Sequence, residues 1–334
     1  ASITGTNGQP VPTQLCGIGR DPNAGTNPLP RGSLAGSFAL ITRGHCTFLS
    51  KAARAAAAGA AGLVVIDNRF GEANPIPLVL PVRSGMVSDL DGASLRAYLG
   101  TRGGRAPIRI GPGVTEIVTG RSGVITSFSA GGPSAFGHQL KPDVAAPGGE
   151  ILSATLRQYT GGSPFANFDG TSMSAPHVTG AVALLTQRHP DWSVRQMKSA
   201  LMSTAGAAWG NSARTQEASV LLEGAGLVNV QAADSPLIFT EPGSLSFGDL
   251  NLLAGVTSRQ LLLSVRDAGG GAGTWTVELQ PQSASAGATL ELPSTVTVAP
   301  GGSVDVQVTA RAGAAAPKGD NYGFVVLRRG ATTR

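Results

Sequence analysis

The sequence predicts an α/β fold followed by an all-β sandwich, and three observations carry this prediction. Glycine and proline account for 47 and 22 of the 334 residues, which indicates many short elements joined by tight turns. Residues 36–66 read as an apolar strand, an alanine-rich helix and a second apolar strand. Beyond residue 235, apolar and polar side chains alternate, as is typical of antiparallel strands.

The composition excludes several functional classes. Apolar residues make up 41% of the chain, which excludes a long disordered polypeptide. The net charge is +5, but the basic residues are scattered and form no stripe of the kind that binds nucleic acid. The best candidate for a membrane span, residues 52–66, is shorter than the ~18–20 apolar residues required and contains Arg54. We therefore expect neither a nucleic-acid partner nor a membrane span.

Residues 1–110 form the first block and contain a small α/β unit. A helix is predicted over 51–59, where alanine gives high helix propensity, with Thr47 or Ser50 as its N-cap. The strand that follows at 63–66 is continuously apolar, which predicts burial on both of its faces.

Residues 111–232 are predicted to contain short strands and two helices. The strands cover 124–128 and 150–154. The second helix begins with a capping box formed by Ser193 and Gln196. One face of that helix carries three apolar residues at helical spacing, which are Val194, Met197 and Leu201.

The last block, residues 235–334, is predicted to be purely β. Residues 274–279 and 303–309 alternate strictly, and turns such as 300–302 separate such runs. About seven strands of this kind predict an antiparallel sandwich. Because the sequence stops soon after the strand at 324–327, it leaves open that the sandwich is cut short.

The candidate catalytic segment is residues 170–180, GTSMSAPHVTG. A serine hydroxyl is a poor nucleophile near pH 7 unless it is exposed and a base takes its proton. The helix that follows Ser172 points its free N–H groups at the serine, where an oxyanion would be held. Pro176 is expected in the first helical turn, where no intrahelical bond is lost. The buried face of this helix is predicted to consist of Val178, Ala181, Val182 and Leu185.

This segment resembles the serine motif of the subtilisin-like serine proteases (subtilases, peptidase family S8). Residues 128–133, 141–148, 200–205 and 224–229 are similar to runs that accompany the motif in that family. A serine that only caps a helix would explain none of these flanking matches. The resemblance implies a serine endopeptidase that acts on polypeptides.

The resemblance also implies the roles of individual residues. Ser172 would be the acylated nucleophile, and its backbone N–H would donate to the oxyanion. Thr171 would support the oxyanion hole, and Phe128 would line the leaving-group side of the cleft. Calcium sites are common in the family, but the sequence offers no ligand cluster to assign, and no other metal or cofactor is expected.

Two further resemblances complete the expected organisation. Residues 43–66 resemble part of the protease-associated (PA) domain, and the last block resembles a fibronectin type III-like domain. Together they imply the C-terminal part of a doubly wound, parallel-sheet catalytic domain at 1–10 and 111–232, an inserted PA domain at 11–110 and a fibronectin type III-like sandwich at 235–334. PA domains are associated with substrate access or dimer contacts, so a PA-mediated dimer is an implied partner.

Cys16 and Cys46 are the only cysteines of the chain. Many PA domains of this family have a similar pair, which implies a disulfide and a secreted, extracellular protein. Two free buried thiols are the alternative. A zinc site is not expected, because two cysteines this far apart, with no neighbouring ligand set, lack zinc spacing.

The base and the acid of a subtilase are missing from the sequence. The 334 residues contain neither the family's Asp-[Thr/Ser]-Gly motif nor its His-Gly-Thr-His motif, and the family's Gly-Asn oxyanion turn is missing upstream of the PA insertion. They also begin without a signal peptide. Structural or surface roles are expected for all four histidines, namely His45, His138, His177 and His189. We therefore expect a piece of a longer secreted protease that is inactive alone. The alternative is a pseudoprotease whose PA and sandwich domains bind proteins or polysaccharide.

Asp169 departs from the family pattern, which often has Asn or Ser at this position. An ionised carboxylate there would repel a nearby oxyanion unless it turns to solvent. The sequence leaves both orientations open.

Overall fold

The computed structural model describes residues 3–71, 73, 78–111 and 120–333, and it divides into two compact units. Unit 1 consists of Ala1–Glu116 and Gly149–Asp169, and unit 2 consists of Ile117–Gly148 and Gly170–Arg334. The start of the expected second catalytic segment, residues 112–119, lies outside the described residues. Over the described ranges, no helix has the length and apolar character needed to cross a membrane.

Unit 1 contains a three-stranded parallel sheet and a separate antiparallel pair. The sheet has the order β1-β2-β3, and the pair is β4-β5. The strands are β1 Phe38–Thr42, β2 Gly62–Ile66, β3 Arg83–Val87, β4 Ile151–Ala154 and β5 Phe165–Phe168, and the helices are α1 Phe48–Ala57, α2 Asp89–Gly100 and α3 Arg157–Thr160.

The predicted strand-helix-strand unit is confirmed. β1 and β2 pair in parallel, with Leu40 opposite Val64, and α1 connects them. Thr47 rather than Ser50 is the N-cap of α1, since its side chain accepts from the Ser50 N–H. Four of the five residues of β2 are buried, as expected of a central parallel strand.

A disulfide joins Cys16 to Cys46 in unit 1, as the resemblance implied. It connects the segment before β1 to the loop that leads into α1. Lys51 of α1 lies directly beneath this cross-link and is 0% exposed. Its ammonium donates to the carbonyls of Gln14 and Gly44, each of which lies two residues before one of the cysteines.

The described residues of unit 2 form four α-helices, a 3₁₀ helix at Leu252–Ala254 and two four-stranded antiparallel sheets. The sheets have the strand orders β6-β7-β11-β9 and β10-β8-β12-β13. The helices are α4 Thr171–Arg188, α5 Val194–Ser203, α6 Val220–Glu223 and α7 Val230–Ala233, and the strands are β6 Ile238–Glu241, β7 Ser258–Asp267, β8 Gly273–Ser283, β9 Ala288–Glu291, β10 Thr295–Val298, β11 Ser303–Ala312, β12 Tyr322–Arg329 and β13 Thr332–Thr333.

The two sheets share one apolar core, so the C-terminal region is a β-sandwich. Its largest buried side chain is Trp275, which is 0% exposed. The indole Nε1–H donates to the Gly271 carbonyl at 2.8 Å, and the Arg329 guanidinium lies 4.7 Å from the ring centroid. The carboxylate of Asp267 accepts from the N–H groups of Gly269 and Gly301, which holds two glycine turns together.

One local prediction in unit 2 is wrong and another is confirmed. Residues 124–128 form no strand, because only Val124 pairs, through a single bridge to Trp209. The capping box of α5 is confirmed, but Val194 is 81% exposed, whereas Met197 and Leu201 are buried. Val194 is the first residue of α5.

Glu223 is a buried carboxyl that ties α6 to the segment beside α5. It is 0% exposed, and its Oε2 accepts from the Ala208 N–H at 2.7 Å. Its Oε1 has no hydrogen-bond partner within the part of the chain that the structure describes. Burial raises the pKa of Glu223 to about 7; the Ala208 N–H opposes this rise, and the charge of Glu217 adds to it.

The raised pKa of Glu223 predicts that the free energy of unfolding falls as pH rises. A carboxyl whose pKa is raised in the folded state binds its proton more tightly there than in the unfolded chain. The contribution of Glu223 to the free energy of unfolding is therefore complete below pH 4.5, which is the ordinary pKa of the group. This contribution is lost as pH approaches 7. We expect the free energy of unfolding of unit 2 to fall by about 2–3 kcal/mol over this window. Denaturant titrations at a series of pH values measure it.

Glu223→Gln is the control for this prediction. Glutamine keeps an acceptor for the Ala208 N–H but does not titrate, so this part of the pH dependence is expected to disappear. A variant that retains the wild-type pH dependence would show that another group is responsible.

Candidate active site

The exposed hydroxyl of Ser172 lies at the start of α4. The helix begins at Thr171, directly after Gly170, so Ser172 is its second residue, and both Thr171 and Ser172 are exposed. In the first helical turn, the Met173 N–H donates to the Gly170 carbonyl at 3.0 Å, whereas the Thr171 and Ser172 N–H groups have no intrahelical acceptor. The helix dipole adds a partial positive charge at this end. The serine therefore stands beside free backbone donors that favour a negative charge.

The remainder of α4 is fixed by the predicted apolar face. Ala181 and Leu185 are buried, and Val178 and Val182 pack against the same cluster from partly buried positions. The other members of the cluster come from α5, α7 and β6, and are Ala200, Leu201, Ala233 and Phe239. The serine is therefore carried by a helix whose far side is locked into a core.

The position of Pro176 differs from the prediction. It is the sixth residue of α4, in the second turn, and not in the first. Without an N–H, it cannot donate to the carbonyl four residues earlier, which belongs to Ser172. The carbonyl of the candidate nucleophile is thus left without its usual helical partner.

The start of α4 is held by the segment that ends at Gly148. The Gly170 N–H donates to the Gly148 carbonyl at 2.8 Å, and the Ser174 hydroxyl donates to the Ala146 carbonyl at 3.0 Å. A Cβ atom on Gly148 would lie 2.1 Å from Ser174 Oγ and 2.9 Å from the Gly170 carbonyl oxygen. Only glycine fits between the helix start and this segment.

A second layer of contacts holds that segment in turn. The Ala145 N–H donates to the Gly226 carbonyl, and the Val228 N–H donates to the Ala145 carbonyl. The runs that flank the serine motif in the sequence, 141–148 and 224–229, are therefore neighbours in the fold. Their pairing builds the platform on which α4 begins.

Asp143 joins this platform to α5. Its carboxylate pairs with Lys141 at 2.7 Å and with Lys198 at 2.8 Å. Burial alone would raise the pKa of Asp143, but hydrogen bonds and charge from the two lysines outweigh it and hold the pKa below its usual range. The group is therefore a carboxylate that stabilises the platform at neutral pH.

Phe128, His177 of α4 and His189, which follows α4, occupy other positions in unit 2. Phe128 is half-buried in a turn. His177 Nδ1 lies 2.8 Å from the Met173 carbonyl oxygen, and His189 Nε2 lies 2.8 Å from Asp234 Oδ1. His189 is seventeen residues from Ser172, which is about 26 Å along a helix. Both rings are thus engaged away from the Ser172 hydroxyl.

Asp169 makes its hydrogen bond within unit 1. Its Oδ1 accepts from the Glu150 N–H at 2.8 Å, where the two residues close the base of the β4-β5 pair. The hairpin backbone therefore binds this carboxylate.

The described residues contain no group of three or more His, Cys, Asp or Glu side chains arranged to hold a metal ion. The supports that sequence reasoning missed are Gly148, Ser174 and Asp143. A glycine directly after Pro147 was the signal available for the first, but its partner across the fold is not visible in sequence.

The close approach at Gly148 predicts a sensitive position. Gly148→Ala is expected to lower the free energy of unfolding by about 1–3 kcal/mol, because the new methyl group must displace Ser174 or the helix start. Gly180→Ala is the matched control, since Gly180 lies within the same helix with no atom near its missing Cβ. This control is expected to be neutral or stabilising by up to ~1 kcal/mol. Equal effects of the two substitutions, measured by denaturant titration, would contradict the proposed role of Gly148.

Comparisons with known proteins agree with the motif. The Minor extracellular protease Vpr of Bacillus subtilis (strain 168) is 32% identical over 217 residues, which cover 64% of this chain and 26% of that protein. Subtilisin-like protease SBT5.4 of Arabidopsis thaliana is 34% identical over 180 residues, which cover 51% of this chain and 23% of that protein. Subtilisin-like protease SBT3.10 of the same plant is 38% identical over 161 residues, which cover 47% of this chain and 20% of that protein. The matches thus span about a quarter of the length of these curated relatives or less.

Two family models match parts of the chain that overlap at residues 88–95. The PA domain model matches residues 6–95, which hold the disulfide and the parallel sheet. The Subtilase family model matches residues 88–228, which hold Ser172 and the platform beneath it. Residues 6–95 are thus similar to a PA domain, and residues 88–228 are similar to a segment of the subtilase family of peptidases.

Proposed function

We propose that this chain is the nucleophile-bearing part of a subtilisin-like serine endopeptidase. The supporting observation is the placement of Ser172, exposed at the first turn of a helix whose opposite face is buried. A helix start built in this way can hold both a reacting hydroxyl and the donors for an oxyanion. The catalytic base and acid are supplied by residues outside these 334.

In the proposed reaction, Ser172 Oγ attacks the carbonyl carbon of a peptide bond while a histidine accepts its proton. The negative charge that develops on the carbonyl oxygen is stabilised by the Ser172 N–H, with support from Thr171. Phe128 lines the side from which the amine leaves. Water then hydrolyses the acyl-enzyme, which restores the serine hydroxyl.

The same proposal covers the remaining architecture. Residues 111–232 contribute the later part of a doubly wound parallel sheet, which the PA domain interrupts, and residues 235–334 form a fibronectin type III-like domain. An extracellular location is supported by the disulfide and by a relative named as an extracellular protease. Polypeptides are the proposed substrates.

A fluorophosphonate probe tests the proposed nucleophile. The chain as given is expected to remain unlabelled, because no base activates Ser172. A longer polypeptide that adds the Asp-[Thr/Ser]-Gly and His-Gly-Thr-His motifs is expected to be labelled stoichiometrically at Ser172. Peptide mapping by mass spectrometry identifies the labelled residue.

Two serine variants control the experiment. Ser172→Ala should abolish labelling of the longer polypeptide, and Ser212→Ala, at an exposed serine of the same unit, should leave it unchanged. Stoichiometric labelling of the chain alone would mean that one of its own histidines acts as the base. A native open reading frame without the two motifs would instead favour a pseudoprotease.

A further inference from the structure

The cross-link in unit 1 has an asymmetric environment. Lys51 Nζ lies 3.8 Å from Cys16 Sγ and donates to the Gln14 and Gly44 carbonyls. Among the described residues, all the hydrogen-bond partners of this ammonium are thus neutral, although Lys51 is 0% exposed. A buried cation with only neutral partners is an unusual arrangement, because burial of a charge is costly unless an opposite charge compensates it.

Arg54 adds a second cation to the same helix. It lies three residues after Lys51 and is 6% exposed, and its Nη2 donates to the Asn23 and Gly25 carbonyls. Asp21 is the carboxylate whose charge acts on Arg54. Burial, and then the charge of Arg54, lower the pKa of Lys51 to about 8. An anion beside Lys51 would relieve this repulsion.

The two cysteines also differ in their position relative to a cavity. A surface cavity of about 480 Å³ adjoins the cross-link, and Cys16 lines it together with Gln14, Gly17 and His45. Cys46 is not among its lining residues. A small reagent that enters this cavity therefore meets the sulfur that Lys51 contacts.

We propose that reduction of the Cys16–Cys46 disulfide turns Cys16 into a reactive thiolate, paired with Lys51 and open to modification through the cavity. This inference is independent of the proposed peptidase activity. An external dithiol supplies the two electrons: one of its thiolates attacks a sulfur of the disulfide, and the S–S electron pair leaves on the other sulfur. The second thiol of the reagent then releases the first cysteine, which leaves two cysteine thiols and an oxidised dithiol.

After reduction, Cys16 is the cysteine whose thiol pKa this environment lowers. Loss of its proton to water places a negative charge 3.8 Å from the Lys51 ammonium, and a neighbouring cation lowers the pKa of a thiol. In alkylation by iodoacetamide, the Cys16 thiolate attacks the methylene carbon and iodide leaves. His45, exposed in the cavity wall, is a third group that faces this site.

The test is the pH dependence of alkylation of each thiol in the reduced chain. After treatment with dithiothreitol, brief iodoacetamide pulses between pH 5 and 10 are followed by mass spectrometry of the two cysteine peptides. For the wild-type chain, we expect the pH midpoint of alkylation at Cys16 to lie at least about one pH unit below the ordinary thiol pKa of ~8.5. We also expect it to lie below the alkylation midpoint of Cys46. Equal midpoints would overturn the proposal, including the case in which reduction unfolds the region.

Three lysine variants separate charge from structure. Lys51→Gln is expected to raise the Cys16 midpoint towards that of Cys46, and Lys51→Arg, which keeps the charge, is expected to hold it low. Lys318→Gln removes an exposed lysine of unit 2 and should change neither midpoint. An unchanged Cys16 midpoint in Lys51→Gln would overturn the role of Lys51. The comparison of Cys16 with Cys46 in the wild-type chain needs no variant, so it tests the proposal even if a variant fails to fold.

Discussion

The candidate site depends on the close approach between the first turn of α4 and the segment that ends at Gly148. A backbone hydrogen bond and a serine hydroxyl bond join the two across a gap that leaves no room for a methyl group. This contact sets where the helix begins, and the helix start sets where the Ser172 hydroxyl and the first free N–H groups lie. The apolar face of α4 resists displacement of the helix from the other side. The position of the hydroxyl is thus determined by packing at both ends of one rigid element.

Electrostatic interactions stabilise two parts of this arrangement, which are the start of α4 and the platform below it. At the helix start, backbone dipoles favour a negative charge where an oxyanion would form. In the platform below, the lysine pairs of Asp143 tie α5 to the segment that carries Gly148. Glu223 behaves in the opposite way, because its buried carboxyl has one backbone donor and favours the protonated form. The same unit therefore holds one carboxylate that is stabilised by cations and one carboxyl that is stabilised by its proton.

Sequence patterns predicted the elements whose signals are local. The N-cap of α1 and the capping box at Ser193 involve residues three apart, and the buried face of α4 follows helical periodicity, so each can be read from a short window. The strand over 124–128 was a wrong prediction, because its side chains suit a strand but only Val124 forms a β-bridge, to Trp209. The Gly148 contact and the buried position of Lys51 depend on residues more than twenty positions away. No local pattern reports such contacts, and they are the ones that define the two sites.

The start of α4 presents Ser172 for acylation once a base is supplied. The most direct measurement is the identity of the acylated residue, trapped by acid quenching during turnover of a slowly hydrolysed ester by the longer polypeptide. We predict an acyl group on Ser172 that forms and decays at the rates of the reaction. An acyl group on another residue, or turnover with no covalent intermediate, would contradict the account.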